Sequence, residues 1–467
     1  MNTADYLERD EDIWADLPYI TYKGKTHTFC GFALDVRAAA RYLYNTVGRG
    51  STIAIYAENS YEWTVLYIAV LAYTGVCMPI DKEWVEHDLR NTLGFVKPDA
   101  VIYSDLTAEK IQHIKDDLGD IKFIPMEEIF SSCERYEDTE LIPRNDPDET
   151  AMIFFSSGTT GSPKAIPLTQ GNIFNNVHIL MERTPMTNED ISVLYLPLAH
   201  VYAGISNFLY TLVSGMRLYI SEDIHSCVAD MMHLRPTAVC TVPLILKRMH
   251  DAMTDELMDM LRNVRWLYCG GSGLDAQLKK WYRDNGIMLL DTYGSTETSA
   301  IVATDIPGET ELDCCGTVFP NLEVRIDSPD DEGCGEILVK GDSVTKGYLG
   351  RDDNDRYFDS EGFFHTGDMG RLDEKNRLYI SGRKKRLLDM QNGKNVFADE
   401  LEELIAAQTG ASKVRVYLED GEICAHIFTD KTEDEIAPLM EQVSAKLPHF
   451  KQIHRYIVSR MTGSRLK

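Results

Sequence analysis

The sequence predicts an α/β protein: a large N-terminal domain of layered α/β subdomains with a small β subdomain, followed by a small α+β C-terminal domain. Three observations carry that prediction. Short apolar runs alternate with helix-like segments as far as Thr241, the pattern of largely parallel sheets covered by helices. From Gly316 the texture changes to short strands between Gly, Pro and Asp clusters. Near Gly382-Arg-Lys-Lys385 a basic stretch marks a boundary, and a shorter αβ tail follows. At 467 residues the chain is also too long for one hydrophobic core.

Residues 51–56 (Ser-Thr-Ile-Ala-Ile-Tyr) read as a strand and 62–73 as a helix. Strand 100–103 and helix 107–118 repeat the unit, and 151–155 is a further buried strand. Segments 193–196, 217–220 and 238–241 are apolar runs of strand length separated by helices. Segments 324–326 and 335–339 supply the small β subdomain. The tail reads as helix 398–408, strands 413–418 and 422–428, helix 433–447 and strand 453–458. Trp63 to Ile80 lacks charge, but Gly75 and Pro79 interrupt it, so a buried helix, a glycine turn and a buried strand fit better than a membrane span. The uncharged stretch 191–216 contains Pro197, His200, Asn207 and Gly215 and reads the same way.

Composition narrows the function. Lys and Arg number 47 against 74 Asp and Glu, a net charge of −27 that repels nucleic acid and anionic lipid. A small anion remains possible where backbone amides and a lysine override the field. The ten cysteines form no Cys-x-x-Cys pair, so reduced thiols in and around the core are expected rather than zinc or redox sites. The acidic N-terminus lacks an apolar signal core, and a cytoplasmic location is expected.

Chemistry concentrates in Ser156-Ser-Gly-Thr-Thr-Gly-Ser-Pro-Lys164, after one hydrophobic strand and before Ala165-Ile-Pro-Leu168. Small residues let amides approach an anion, hydroxyls add donors and Lys164 adds charge. The Walker pattern and the dinucleotide fingerprint are both absent from this stretch, which weakens a P-loop kinase reading.

With this loop the chain resembles the adenylate-forming, AMP-binding superfamily of acyl-CoA synthetases, peptide-synthetase adenylation domains and luciferases. Leu196-Pro-Leu-Ala-His-Val-Tyr202 resembles its acyl-pocket entrance, Gly270-Gly-Ser-Gly273 its adenine-side loop and Tyr293-Gly-Ser-Thr-Glu297 its YGxTE segment. Thr366-Gly-Asp368 and Gly382-Arg-Lys-Lys385 resemble its TGD turn and interdomain hinge, and the likeness spans about residues 20 to 460. It implies an AMP-binding adenylation domain over 1–382 and a mobile C-terminal domain over 383–467. It implies ATP, Mg²⁺ and CoA as the small molecules handled. Ser156, Ser157, Gly158, Thr159, Thr160, Gly161 and Lys164 would hold the phosphates, and Glu297 with Thr160 the Mg²⁺. Gly271, Ser272 and Gly273 would line the adenine, Tyr293 and Gly294 would lie against it, and Thr296 would reach the α-phosphate. Asp368 and Arg383 would hold the ribose and His200 would wall the acid's carboxylate. Taken alone, Asp368 reads as an Asx-turn residue and His200 as a hydrogen-bonded core residue; the resemblance is what gives them these roles.

The resemblance also makes Lys385 the pivot between an adenylate-forming and a thiol-admitting orientation, with Asn392-Gly-Lys-Asn395 beside the thiol channel. The family's closing lysine motif is irregular here. The chain ends Met461-Thr-Gly-Ser-Arg-Leu-Lys467, where Lys467 takes the adenylation role after one slip and Arg465 is a second source of charge. The stretch 199–202 carries no Asp to pair with an ammonium, which disfavours amino acids. Apolar or small candidates Val201, Tyr202, Gly204, Ile205, Val242, Pro243, Gly270, Gly271 and Gly273 suggest room for an alkyl chain. The hinge text is similar to that of long-chain fatty-acid–CoA ligases. The expected activity is AMP-forming fatty acyl-CoA synthesis. An acyl-AMP ligase loading an acyl-carrier protein and a degenerate nucleotide-binding paralogue are the alternatives.

Overall fold

The computed structural model describes residues 2–132, 139–156, 164–308, 311–350, 354–389, 395–419, 422–447 and 451–460. The chain divides into two compact units, Met1–Glu323 with Val339–Phe364, and Val324–Leu338 with His365–Lys467. The layered α/β architecture expected from the sequence is borne out.

The first unit holds two sheets. A six-stranded sheet runs in the order Lys122–Pro125, Ala100–Tyr103, Ser51–Ala57, Gly75–Asp81, Thr150–Ser156, Lys164–Thr169. All neighbours are parallel except the last pair, a hairpin whose strands close at Ser156 opposite Lys164. Ala54, Tyr56, Met78, Ile80 and Val101 bury one face against Leu89, Leu93, Ile111 and Ile114 of the crossover helices. The uncharged stretch from Trp63 resolves as helix Tyr61–Ala69, one wider turn over Val70–Thr74 and the buried strand Gly75–Asp81, as the interrupting glycine implied. A Cβ on Gly75 would lie 1.9 Å from the Ser51 carbonyl oxygen, so this register requires glycine.

The second sheet has nine strands. Its six central strands, Leu289–Tyr293, Trp266–Cys269, Ala238–Thr241, Ile191–Leu194, Arg217–Ile220 and Pro18–Tyr22, are all parallel, and antiparallel strands cover both edges. The expected strand 193–196 instead ends at Leu194. Asn59 Nδ2 donates to the Leu196 carbonyl at 2.8 Å and Asn59 Oδ1 accepts the Leu198 N–H at 2.9 Å, drawing the chain off the sheet. The expected helix 107–118 stops at Ile114 and tightens to a 3₁₀ turn over Lys115–Asp117.

Most of a four-stranded sheet, Leu322–Asp327, Gly335–Gly341, Phe364–Leu372 and Leu378–Arg383, belongs to the second unit. So do strands Lys413–Glu419, Glu422–Phe428 and Arg455–Ser459, covered by helices Ala398–Thr409 and Glu433–Lys446 over a core of Leu401, Ile405, Val416, Ile427, Ile436 and Val443. Among the described residues no helix is long and apolar enough to cross a membrane. The described cysteines are free thiols, and burial pushes Cys227 up to about 11 and Cys240 to about 12, against a nucleophilic role for either.

Candidate functional site

Parallel strands send all their carboxyl ends to one edge of a sheet, where the following loops gather. In the nine-stranded sheet those loops are 195–202, 242–243, 270–273 and the turn after Tyr293, so four motif segments far apart in sequence share one edge. In the six-stranded sheet Cys77 pairs with Met152, and four residues further along each strand lie Asp81 and Ser156. Asp81 then meets the other sheet's loops: its Oδ2 lies 3.1 Å from His200 Nε2. Together with the Asn59 clamp, this joins the carboxyl ends of the two sheets. Burial works to raise the Asp81 carboxyl, but hydrogen bonds from His200 and the Glu83 N–H outweigh it and hold the group below its ordinary range.

Ser156 and Lys164 face each other at the two ends of the segment expected to bind an anion. Ser157, Gly158, Thr159, Thr160 and Gly161 lie outside the described residues. Lys164 Nζ sits 4.6 Å from the Tyr348 ring centroid and 4.3 Å from that of Tyr357. The Tyr348 hydroxyl donates to Glu297 Oε1 at 2.9 Å, and the Glu297 carbonyl accepts the Thr345 N–H at 2.8 Å. One tyrosine therefore bridges the expected phosphate lysine and the expected metal carboxylate, which is 8% exposed.

The turn carrying Glu297 is built tightly. Gly294 runs so close to the following chain that a Cβ would be 1.9 Å from the Ala300 carbonyl oxygen. Ser295 and Thr298 cap each other around Thr296, and Ser299 and Ala300 take positive φ of 56° and 94°, strained values for residues with side chains. Asn176, fully buried, holds the exit by donating to the Ile301 carbonyl at 2.6 Å. Gly271, Ser272 and Gly273 form an exposed loop with Gly271 at φ +85°.

Two of the small pocket candidates are closely packed. A Cβ on Gly204 would meet the Tyr67 hydroxyl at 2.6 Å, and one on Gly270 would meet Thr292 Oγ1 at 2.3 Å. Neighbours occupy the space a side chain would need at either position, so close packing by itself calls for glycine there.

In the second unit, Asp368 and Arg383 sit opposite each other on antiparallel strands, Nε to Oδ1 at 2.7 Å. Buried Glu336 organises this turn: Oε1 accepts the Gly367 N–H at 3.2 Å, and Oε2 lies 2.5 Å from Lys384 Nζ and 3.1 Å from His365 Nδ1. The backbone at Lys385 belongs to a single 3₁₀ turn, Lys384–Arg386. Residues 392–394, Arg465 and Lys467 lie outside the described residues. Sequence reasoning missed Asn59, Asp81, Tyr348 and Glu336, for none belongs to a motif that signals chemistry by itself.

Comparison with known proteins supplies the family. The model of the AMP-binding enzyme family matches residues 7–349. A 2-succinylbenzoate–CoA ligase of Lactococcus lactis is 28% identical over 387 residues, covering 81% of this chain and 79% of its own. The long-chain-fatty-acid–CoA ligase FadD15 of Mycobacterium bovis is 27% identical, covering 86% and 75%. Among solved structures, ATP-bound MatB from Rhodopseudomonas palustris is 24% identical with a TM-score of 0.86 over 98% of this chain and 95% of that one. The o-succinylbenzoate CoA synthetase MenE from Bacillus subtilis, in complex with its acyl-adenylate, is 22% identical with a TM-score of 0.86 over 98% and 94%. The resemblance read from the motifs is thus borne out, and the chain belongs to the AMP-binding enzyme family.

Proposed function

We propose that this enzyme joins a carboxylic acid to CoA through an acyl-adenylate, and that the acid is of the aryl type rather than a long fatty chain. In the first step a carboxylate oxygen bonds to the α-phosphorus of ATP and the bond to pyrophosphate breaks. In the second the CoA sulfur bonds to the acyl carbon, AMP leaves and the thiol proton passes to solvent. Both steps bring anions together, so the protein acts mainly by positioning and charge neutralisation.

Lys164 offsets charge on the β- and γ-phosphates beside the loop 157–161. Glu297 would hold Mg²⁺: it is a hard oxygen donor, oriented by Tyr348, beside the hairpin that carries the loop. Among the described residues no group of three or more His, Cys, Asp or Glu is placed to hold a metal, so Glu297 would share the ion with Thr160 and the substrate's phosphates. Bound there, Mg²⁺ supplies charge neutralisation to the leaving pyrophosphate. Gly271 to Gly273, Tyr293 and Gly294 take the adenine, Thr296 the α-phosphate, and Asp368, fixed by Arg383, the ribose hydroxyls. His200, held by Asp81, walls the acid's carboxylate. Lys467 supplies a terminal cation, and Lys385 is the hinge between domains 1–382 and 383–467.

The single observation that supports the aryl acid is the similarity to relatives named 2-succinylbenzoate–CoA ligases, 28% and 26% identical to this chain. The fatty-acid reading keeps the support of a relative named for long-chain acids. Asp81 is engaged by His200 and the Glu83 N–H, so no carboxylate there is set aside for a substrate ammonium. Pyrophosphate release from ATP-Mg²⁺ over 2-succinylbenzoate, benzoate, octanoate, palmitate and amino acids, with and without CoA, tests the proposal. Turnover with an aryl acid, stimulated by CoA, is expected. A preference for palmitate would contradict the aryl reading. Release indifferent to CoA would point to a carrier protein or a retained adenylate, and no release to a nucleotide-binding paralogue.

A further inference from the structure

Behind the loop and the tyrosine assigned to adenine lies a buried ionic cluster that no motif announces. Lys279 is 0% exposed, on helix Ala276–Asp284, whose N-cap Asp275 follows Gly273 by two residues. Its Nζ lies 3.0 Å from Asp305 Oδ2 and 3.6 Å from Asp291 Oδ2, and donates to the Cys314 carbonyl at 2.6 Å. Asp305 Oδ2 also accepts the Asp291 N–H at 2.8 Å and pairs with the Arg283 guanidinium. Two cations thus balance two carboxylates.

The cluster reaches both adenine elements along short covalent paths. Asp291 is two residues before Tyr293 on one strand. Between them, Thr292 Oγ1 donates at 2.9 Å to the carbonyl of Cys269, which precedes Gly270. Lys279 lies on the helix that leaves the same loop at its other end. The loop 270–273 is therefore held at its start through Thr292 and at its exit through Lys279, and both ties converge on Asp291 and Asp305. Buried charges of this kind are costly unless fully paired, and removing one partner strands the others, so the geometry is sharply defined.

We infer that Lys279 is a positioning residue for the nucleotide, fixing the Gly270–Gly273 loop against Tyr293 at the separation an adenine ring requires. The inference rests on the assignment of those two elements to adenine. It goes beyond a folding role because it makes the effect specific to one substrate.

Lys279→Met keeps most of the side-chain length and removes the charge. Asp305 retains Arg283, and burial, outweighing Lys279, pushes the Asp291 carboxyl up to about 7, so Asp291 can take a proton. The charge-balanced double variant Lys279→Met/Asp291→Asn serves where the single one fails to fold. On the full-length protein, calorimetric AMP binding and the KM for ATP, acid and CoA would be measured beside Tm. The expected result is a weakening of about ten- to a hundredfold in AMP affinity and a like rise in ATP KM, with the KM for acid and CoA nearly unchanged. A folded variant with wild-type AMP affinity, or equal losses for all three substrates, would overturn the inference in favour of a purely structural role. Wild-type protein that binds neither AMP nor ATP would overturn the adenine assignment itself and the inference with it.

Discussion

Tyr348 ties the side chains of Lys164 and Glu297, on which the proposed adenylation step depends, through its ring face and its hydroxyl. Losing a hydrogen bond to a buried carboxylate costs about 1.5–3 kcal/mol. Tyr348→Phe should therefore lower kcat/KM for ATP by roughly ten- to a hundredfold in a pyrophosphate-release assay, with the ring over Lys164 retained; unchanged kinetics would remove Tyr348 from the account. Asp81 makes a second prediction, in pH. Its folded-state carboxyl sits below the ordinary range because of His200 and the Glu83 N–H, so its stabilisation is present above the unfolded carboxylate range and is lost as pH falls through the folded value. Asp81→Asn should lower Tm near neutrality, and the gap to wild type should close as the pH falls below the ordinary carboxylate range. A constant gap would contradict the pairing with His200. The motif residues were legible in the sequence because glycines, hydroxyls and a lysine in one short run are hard to explain without an anion. Tyr348 and Asp81 were not legible, because each reaches its partner only after distant strands come together.

At the scale of elements, apolar runs marked most strands closely: 100–103, 217–220, 238–241 and 422–428 match the observed bounds. Discrepancies occur where a tertiary contact intervenes, as where Asn59 pulls residues 196–198 off the sheet. The wide turns over Tyr202–Leu209 follow the same rule, for nothing in a mostly apolar octapeptide distinguishes them from an α-helix. They matter because they carry Gly204 under Tyr67. Gly204→Ala should overpack this contact and cost about 1–3 kcal/mol, seen as a fall in Tm. Since the clashing atom is the Tyr67 hydroxyl at 2.6 Å, Tyr67→Phe should recover part of that loss in the double variant. Strict additivity of the two substitutions would show that the hydroxyl is not what fills the space.

For the whole molecule, the charge of −27 is set against a site proposed for anionic substrates. Its local cations and backbone amides must dominate at short range, while the wider field is screened beyond about 10 Å at ordinary salt. The sequence conveyed the layering because parallel strands leave buried apolar runs, and it marked a candidate site because the ends of those runs carry the polar motifs. The acid's identity was not legible, because the depth of a pocket is set by side chains that distant segments bring together only in the fold. Every role proposed for this site depends on the formation of an acyl-adenylate. Acid-dependent exchange of labelled pyrophosphate into ATP, without CoA, reads that step alone, since only reversible adenylate formation returns the label. Exchange is expected to require both Mg²⁺ and an accepted acid and to fall when CoA is added and the adenylate is consumed. The absence of exchange with every acid tried, in protein shown to bind ATP, would contradict adenylate formation.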